Sequence, residues 1–312
     1  MKLRKTALAA LLLTVMLSSA ALGENIVELP IDFSGGLPLQ EKYESGKMRY
    51  EDPSITVERM YADSKEFGCT YYVVDITIAN ATQIRTESAA GGENGFKSRQ
   101  KVPVTTMSKR TNAVVAMDGD YYGEHPEALV LRQGVMFREI SETYHDLLLI
   151  DEDGDFHVIL AGNRDTEEGS RNNVFPATPV THEQLTEIDG KKIINGFDFG
   201  PCIILNGEIV EANPRSIVHP HKSQSWNLAQ RICLCQVGPL QYRMVAVAHF
   251  GLSVQDFAKL VLSLGPVQTA YMFDGGESAQ IVFMNKKINN TQASTIRAVC
   301  DSIYFASAYQ KE

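Results

Sequence analysis

The chain has 312 residues, 44% apolar and 21% charged, with 38 acidic against 29 basic side chains and a net charge of −9. That length suits one large domain or two small ones. The acidic balance, with no basic patch concentrated anywhere, excludes a nucleic-acid binder and an adhesin for anionic surfaces, and points instead to a small or polymeric polar substrate.

The first residues, Met1-Lys2-Leu3-Arg4-Lys5, are basic. An apolar run over 7–17, broken only by Thr14, leads to small residues that include Ala21 and Gly23. This order predicts a secretory signal peptide over 1–23, since the run is short for a membrane span of about 20 residues. It implies a secreted or cell-envelope protein with no stable membrane span after cleavage. Residues 24–53 are rich in polar, Gly and Pro residues, and 54–60 alternate like a strand. We assign 24–68 to an N-terminal arm and 69–312 to the main domain.

Residues 69–79 are aromatic and β-branched and predict a strand. A short helical turn over 105–111 precedes a buried strand over 112–117. That strand runs directly into Asp118-Gly119-Asp120-Tyr121-Tyr122, so two carboxylates flank a glycine at a strand end. Residues 129–137 carry an Arg-Gln-Gly turn between apolar runs and predict a hairpin. Asp151-Glu152-Asp153-Gly154-Asp155 lies between two apolar strands. It lacks the length and the distal Glu of a helix-loop-helix calcium loop, so a hairpin turn with solvated acids is expected.

Thr181 with Gln184 three residues on predicts a capped helix over 181–188. Asn206-Gly207 predicts the turn of a second hairpin. His219 and His221 flank Pro220 in a polar loop, a spacing that signals a metal only weakly without further ligands. Arg231 opens a strand that holds Cys233 and Cys235, which share a face and are not expected to pair with each other. With five cysteines in so long a chain, a disulfide-built scaffold is excluded, a single disulfide of unread connectivity being left open. Another strand ends at His249, read either as a substrate contact or as a structural histidine. Apolar residues at Val254, Phe257, Ala258, Val261 and Leu262 predict a helix capped by Ser253 and stopped by Gly265.

The helix leads to the stretch Thr269-Ala270-Tyr271-Met272-Phe273-Asp274-Gly275-Gly276-Glu277-Ser278. Here a strand ends in a carboxylate, two glycines, a second carboxylate and a hydroxyl. The glycines allow positive φ and close approach, so that bare N–H groups can meet an anionic oxygen. A last strand runs over 297–306. Strands outnumber helices and part of the pairing is by hairpins, which predicts an α+β fold: a mixed, largely antiparallel sheet with a few packed helices.

Six blocks occur in one order: Ala116 to Tyr122, Phe199-Gly200-Pro201 with its hairpin, Arg231, Gly251-Leu252-Ser253, Phe273 to Ser278, and the strand from Arg297. Over residues 71–306 the chain resembles the phosphodiester glycosidases, secreted hydrolases that free a sugar from its phosphodiester. Asp118 stands where the family usually has Asn, and Glu277-Ser278-Ala279 where it usually has Gly-Ser-Ser. The resemblance implies cleavage of a sugar-1-phosphodiester of the N-acetylglucosamine type, in envelope or exported polysaccharide.

Phosphate leaves readily, so the enzyme's main task is to stabilise an oxocarbenium-like centre and steady the departing phosphate. Carboxylates suit the first task, and a bidentate arginine suits the second. Asp274 is expected at the centre, with Asp120 or Asp118 opposite, Glu277 as acid or base, and Arg231 on the phosphate. Gly119, Tyr122, Gly200, His249, Gly275, Gly276 and Ser278 are expected to contact substrate. No cofactor or metal ligand is assigned, a divalent metal being left open. The departures at Asp118 and Glu277 keep two alternatives: a glycan-binding protein without turnover, and a metal-dependent phosphodiesterase that cuts P–O.

Overall fold

The computed structural model describes residues 25–39, 48–161, 177–210, 228–248, 250–291 and 296–311. The predicted signal peptide and the loop with His219 and His221 lie outside them, as does His249.

The described residues build three main antiparallel sheets and three α-helices, which is the α+β class expected. The eight-stranded sheet carries, side by side, Ile55–Ser64, Cys69–Ile78, Gln241–Val247, Ile232–Gly238 and Thr269–Met272. A five-stranded sheet is centred on Ala113–Asp118 and Asp301–Ala306, and a six-stranded one on Leu147–Asp151, Lys191–Asp198 and Val130–Arg132.

Period-two alternation sorts the side chains of each strand to opposite faces. Val115, Met117, Ile303 and Phe305 enter a central core shared with Val74, Leu234 and Tyr271 of the large sheet. Their neighbours Ala116 and Tyr304 face outward to Met107 of the helix Val104–Arg110. Likewise Ala270 and Met272 turn away from the central core toward the helix Val254–Ser263. In that helix Val254, Phe257, Ala258 and Val261 recur at helical spacing and are buried. The Ser253 hydroxyl accepts the N–H of Asp256 at 3.0 Å, satisfying an end donor as predicted. Burying Phe257 stabilises the packing enough that Phe257→Ala would cost about 3–5 kcal/mol.

Residues 49–64, expected in a peripheral arm, belong to the large sheet. Arg49–Asp52 pairs with Ile55–Ser64, and the latter pairs along its length with Cys69–Ile78. Half of this segment faces solvent, which dilutes its apolar signal. All five cysteines are buried with free thiols. Among the described residues no helix is long and apolar enough to cross a membrane.

Candidate active site

The site lies where strand ends from all three sheets converge. Asp118 ends one strand of the five-stranded sheet, and Asp301 begins its neighbour. Asp198 and Arg132 each end a strand of the six-stranded sheet. Asp274 follows the strand Thr269–Met272 of the eight-stranded sheet. Backbone hydrogen bonds tie these ends together: Asp274 N–H donates to the Gly119 carbonyl at 3.3 Å, and Gly119 N–H to the Asp301 carbonyl at 3.2 Å.

Two glycines are required here by space. A Cβ on Gly119 would lie 2.3 Å from the Asp301 carboxylate, and one on Gly275 would lie 2.5 Å from the Gln230 carbonyl. Gly119 therefore lets two acidic strand ends meet, and Gly275 lets the Asp274 turn close against Gln230, just before the strand Ile232–Gly238.

At the centre is a buried ion network. Arg132 is fully buried, with Nη2 2.7 Å from Asp120 Oδ2 and 3.4 Å from Asp301 Oδ2. Its Nη1 donates to the Gly196 carbonyl, and its guanidinium lies over the Phe197 ring at 4.2 Å. Burial alone would lower the Arg132 pKa, but Asp120 and Asp301 outweigh it and hold the group charged. Asp301 is itself pushed up, by burial first and then by the Asp120 charge. One guanidinium thus serves two carboxylates in a dry setting, where removing it would leave uncompensated charge.

Asp118 and Asp274 form the second half of the site. The Asp118 carboxyl is held well above the usual carboxylate range by burial and by the nearby Asp274 charge. Its Oδ1 accepts the Gln280 N–H at 2.8 Å. Asp274 is partly exposed and pushed up to about 6, chiefly by burial. The Ser278 hydroxyl, Arg297 and Lys101 pull it down, and Asp120 adds to the rise. Among the described residues, Asp118 Oδ2 and Asp120 Oδ1 are buried with no hydrogen-bond partner. Orphaned, crowded carboxylates mark working groups more often than structural ones.

The structure brings together Asp118, Gly119, Asp120, Asp274, Gly275, Gly276 and Ser278. Four expectations change. Tyr122 is not open to a substrate: it is buried in an aromatic cluster behind the Asp301, Arg132 and Asp120 charges, its hydroxyl donating to the Ser98 carbonyl at 2.8 Å. Its neighbour Tyr121, at φ 66°, is the ring that feels the Asp274 charge.

Gly276 does not offer a bare N–H, because Gln230 O takes it at 2.8 Å. Arg231 is buried, its Nε donates to the Leu252 carbonyl at 3.1 Å, and burial pushes its pKa down to about 10. The cations acting on Asp274 are Arg297 and Lys101. Glu277 is exposed and paired with Arg297 at 3.0 Å. Gly200 is buried at φ 73°, with the next residue's carbonyl bonded to Met272 N–H.

Sequence reasoning missed Asp301, Arg132 and Asp198. Arg132 had one signal, a lone charge in an otherwise apolar strand, a position that must find an acid when buried. Among the described residues no group of three or more His, Cys, Asp or Glu is arranged to hold a metal ion.

Beside Asp198 opens a cavity of about 460 Å³, walled by the loop 124–128 and the segment 139–145. His145 Nδ1 lies 3.0 Å from Asp198 Oδ1. Asp198 Oδ2 accepts the Leu129 N–H at 3.0 Å, and Asp198 N–H donates to Asp120 Oδ2 at 3.2 Å.

A family model for phosphodiester glycosidases matches residues 111–306. The catalytic domain of zebrafish N-acetylglucosamine-1-phosphodiester alpha-N-acetylglucosaminidase, auto-inhibited by its pro-peptide, superposes with a TM-score of 0.61. The identity is 13%, and 87% of each chain is covered. A hypothetical protein from Synechocystis superposes at 0.56 with 13% identity, covering 83% of this chain and 64% of that one. At such identities the superpositions show the fold. A prophage-derived uncharacterized protein from Bacillus subtilis, YomE, is 22% identical over 278 residues. That match covers 82% of this chain but only 39% of the relative's own length.

Proposed function

The chain belongs to the phosphodiester glycosidase family, and from that premise we propose that it hydrolyses the glycosidic bond of a sugar-1-phosphodiester. The supporting observation is that a buried Asp118, its carboxyl held well above the usual range by burial and by the Asp274 charge, lies near a partly exposed Asp274 pushed up to about 6. Environments that push two carboxyl groups apart divide acid from base work. Asp274 acts as the ionised group at the anomeric carbon, as nucleophile or as base for water. Asp118 holds the proton, and Asp120, fixed by Arg132, adds negative charge opposite the oxocarbenium-like centre.

The phosphate is a good leaving group and needs cations more than a strong acid. Arg297 and Lys101 are better placed for that task than the buried Arg231. The bond broken is C–O at the anomeric carbon. Water supplies the new hydroxyl, and its proton passes to a carboxylate while the phosphomonoester departs. The substrate class we propose is an N-acetylglucosamine-type phosphodiester of envelope or exported polysaccharide, and the working compartment is outside the cytoplasm.

The test is release of free sugar from UDP-N-acetylglucosamine and from sugar-1-phosphate diesters. Turnover that disappears in Asp274→Asn supports the reading. Wild-type protein inert on a broad panel of such diesters would overturn it.

A further inference from the structure

We propose that the cavity between the loop 124–128 and the segment 139–145 is the subsite for the sugar ring, and that His145 is the residue that reads the ring's hydroxyls. The proposal rests on the reading above for its orientation, with the anomeric carbon at Asp274.

The lining chemistry decides between the two halves of a sugar phosphodiester. Neither Lys nor Arg lines the cavity, whereas Glu127, Glu142 and Asp198 do. A phosphate placed there would face carboxylates without a fixed cation, against the rule that anions are recognised by charge-assisted donors. A sugar is neutral, with an apolar C–H face and a rim of hydroxyls that donate to carboxylates and imidazole. Pro126, Ala128 and Ile140 supply apolar wall beside those acceptors. The volume, about 460 Å³, falls in the range of small-ligand pockets. Lys101, ion-paired with the lining residue Glu124, marks the cavity's rim, and Arg297, the other cation that acts on Asp274, is not among the lining residues, so the phosphate half is placed at that rim and the sugar inside.

The walls are built rather than loose. Arg138 Nη1 donates to the His125 carbonyl and, at 3.1 Å, to the Ala128 carbonyl, which ties down the loop. The Thr143 hydroxyl donates to the His145 carbonyl at 2.7 Å. A run of rings leads from the carboxylates into the cavity: Tyr121 to His125 at 6.2 Å, then His125 to His145 at 5.4 Å. Asp198 fixes the His145 ring through Nδ1, which leaves Nε2 without a partner among the described residues. The same Asp198 donates its backbone N–H to Asp120. A ring seated on His145 is therefore registered against the catalytic carboxylates through one residue.

The experiment follows imidazole nitrogen and carbon-bound proton signals of the wild-type protein by NMR, with His145 and His125 assigned from His145→Gln and His125→Gln. N-acetylglucosamine, glucose and inorganic phosphate are titrated separately. The expected result is a saturable shift of the His145 signals with at least one sugar and no comparable shift with phosphate. In kinetics, His145→Ala should raise KM by about tenfold or more while kcat changes by less than about threefold, the pattern of lost binding common to ground and transition states. His145→Gln, which keeps one polar group in reach, should recover part of the KM. Phosphate moving His145 as strongly as the sugars would overturn the assignment. So would His145 signals that stay still with both sugars up to their solubility limits. Sugar binding at His145 in a protein that cleaves no glycosyl phosphodiester would sink the catalytic reading and leave the subsite standing. Turnover of diesters with His145 indifferent to sugars would do the reverse.

Discussion

Two places in this molecule crowd carboxylates together, and they behave in opposite ways. The hairpin turn after the strand Leu147–Asp151 carries Asp151, Asp153 and Asp155 around Lys191, whose ammonium lies 3.9, 2.8 and 3.6 Å from them. Asp151 Oδ1 accepts the N–H groups of Asp153 and Asp155, and Oδ2 meets His157 Nε2 at 2.8 Å. The lysine and two of the acids reach solvent. At the three-sheet junction, Asp118, Asp120 and Asp301 are buried, one guanidinium serves two of them, and two carboxylate oxygens have no partner among the described residues. The hairpin spends its acids on its own turn. The junction keeps them crowded and poised, and stored electrostatic cost of that kind is a mark of a working site.

The largest effect separating the two regions is on turnover. Asp274→Asn should lower sugar release from a glycosyl phosphodiester about a thousandfold or more, while Asp153→Asn should leave it unchanged. Equal losses would break the comparison.

Next is stability. Arg132→Met strands buried charge and should cost about 3–5 kcal/mol in urea unfolding. Lys191→Met removes a solvated pair and should cost less than about 1 kcal/mol. Similar costs at both places would show that the junction is solvated like the hairpin.

The pH dependence follows from Asp274. In the folded protein it ionises at about 6, against about 3.9 in the unfolded chain. Between these values the unfolded chain gives up its proton first. The contribution of Asp274 to stability is therefore full below about pH 4 and declines as pH rises through about 6. Asp274→Asn, which cannot ionise, should gain about 2–3 kcal/mol relative to wild type at pH 8 and nothing at pH 4. Turnover should fall as pH drops through about 6 as Asp274 takes up its proton. A stability difference independent of pH would contradict the assignment.

The smallest effect is expected at Glu277. As an exposed partner of Arg297, Glu277→Gln should change stability by less than about 1 kcal/mol, and sugar release by only a few-fold. A loss as large as that of Asp274→Asn would instead make Glu277 the acid that its sequence position suggested.

The sequence was a good guide to whatever is local and a poor one to whatever the sheets assemble. Asp118 and Asp274 could be read because each ends an apolar strand before a glycine. The Ser253 cap and the Asn206-Gly207 turn were legible for the same reason, since their chemistry is complete within a few residues. The louder acidic run, Asp151 to Asp155, is a turn, and that too was legible from its flanking strands. Arg132 and Asp301 sit in different sheets and meet only where those sheets converge. His145 reaches Asp198 across 53 residues. That Tyr121, at φ 66°, and not Tyr122 feels the Asp274 charge rests on one backbone angle that a residue pattern does not encode.

The central claim is that the junction cleaves C–O and not P–O. Hydrolysis of a glycosyl phosphodiester in water labelled with heavy oxygen tests it most directly, by mass measurement of the phosphate-bearing product. An unlabelled phosphomonoester is expected, with its formation abolished in Asp274→Asn. Heavy oxygen in the phosphate would contradict it and make the protein a phosphodiesterase.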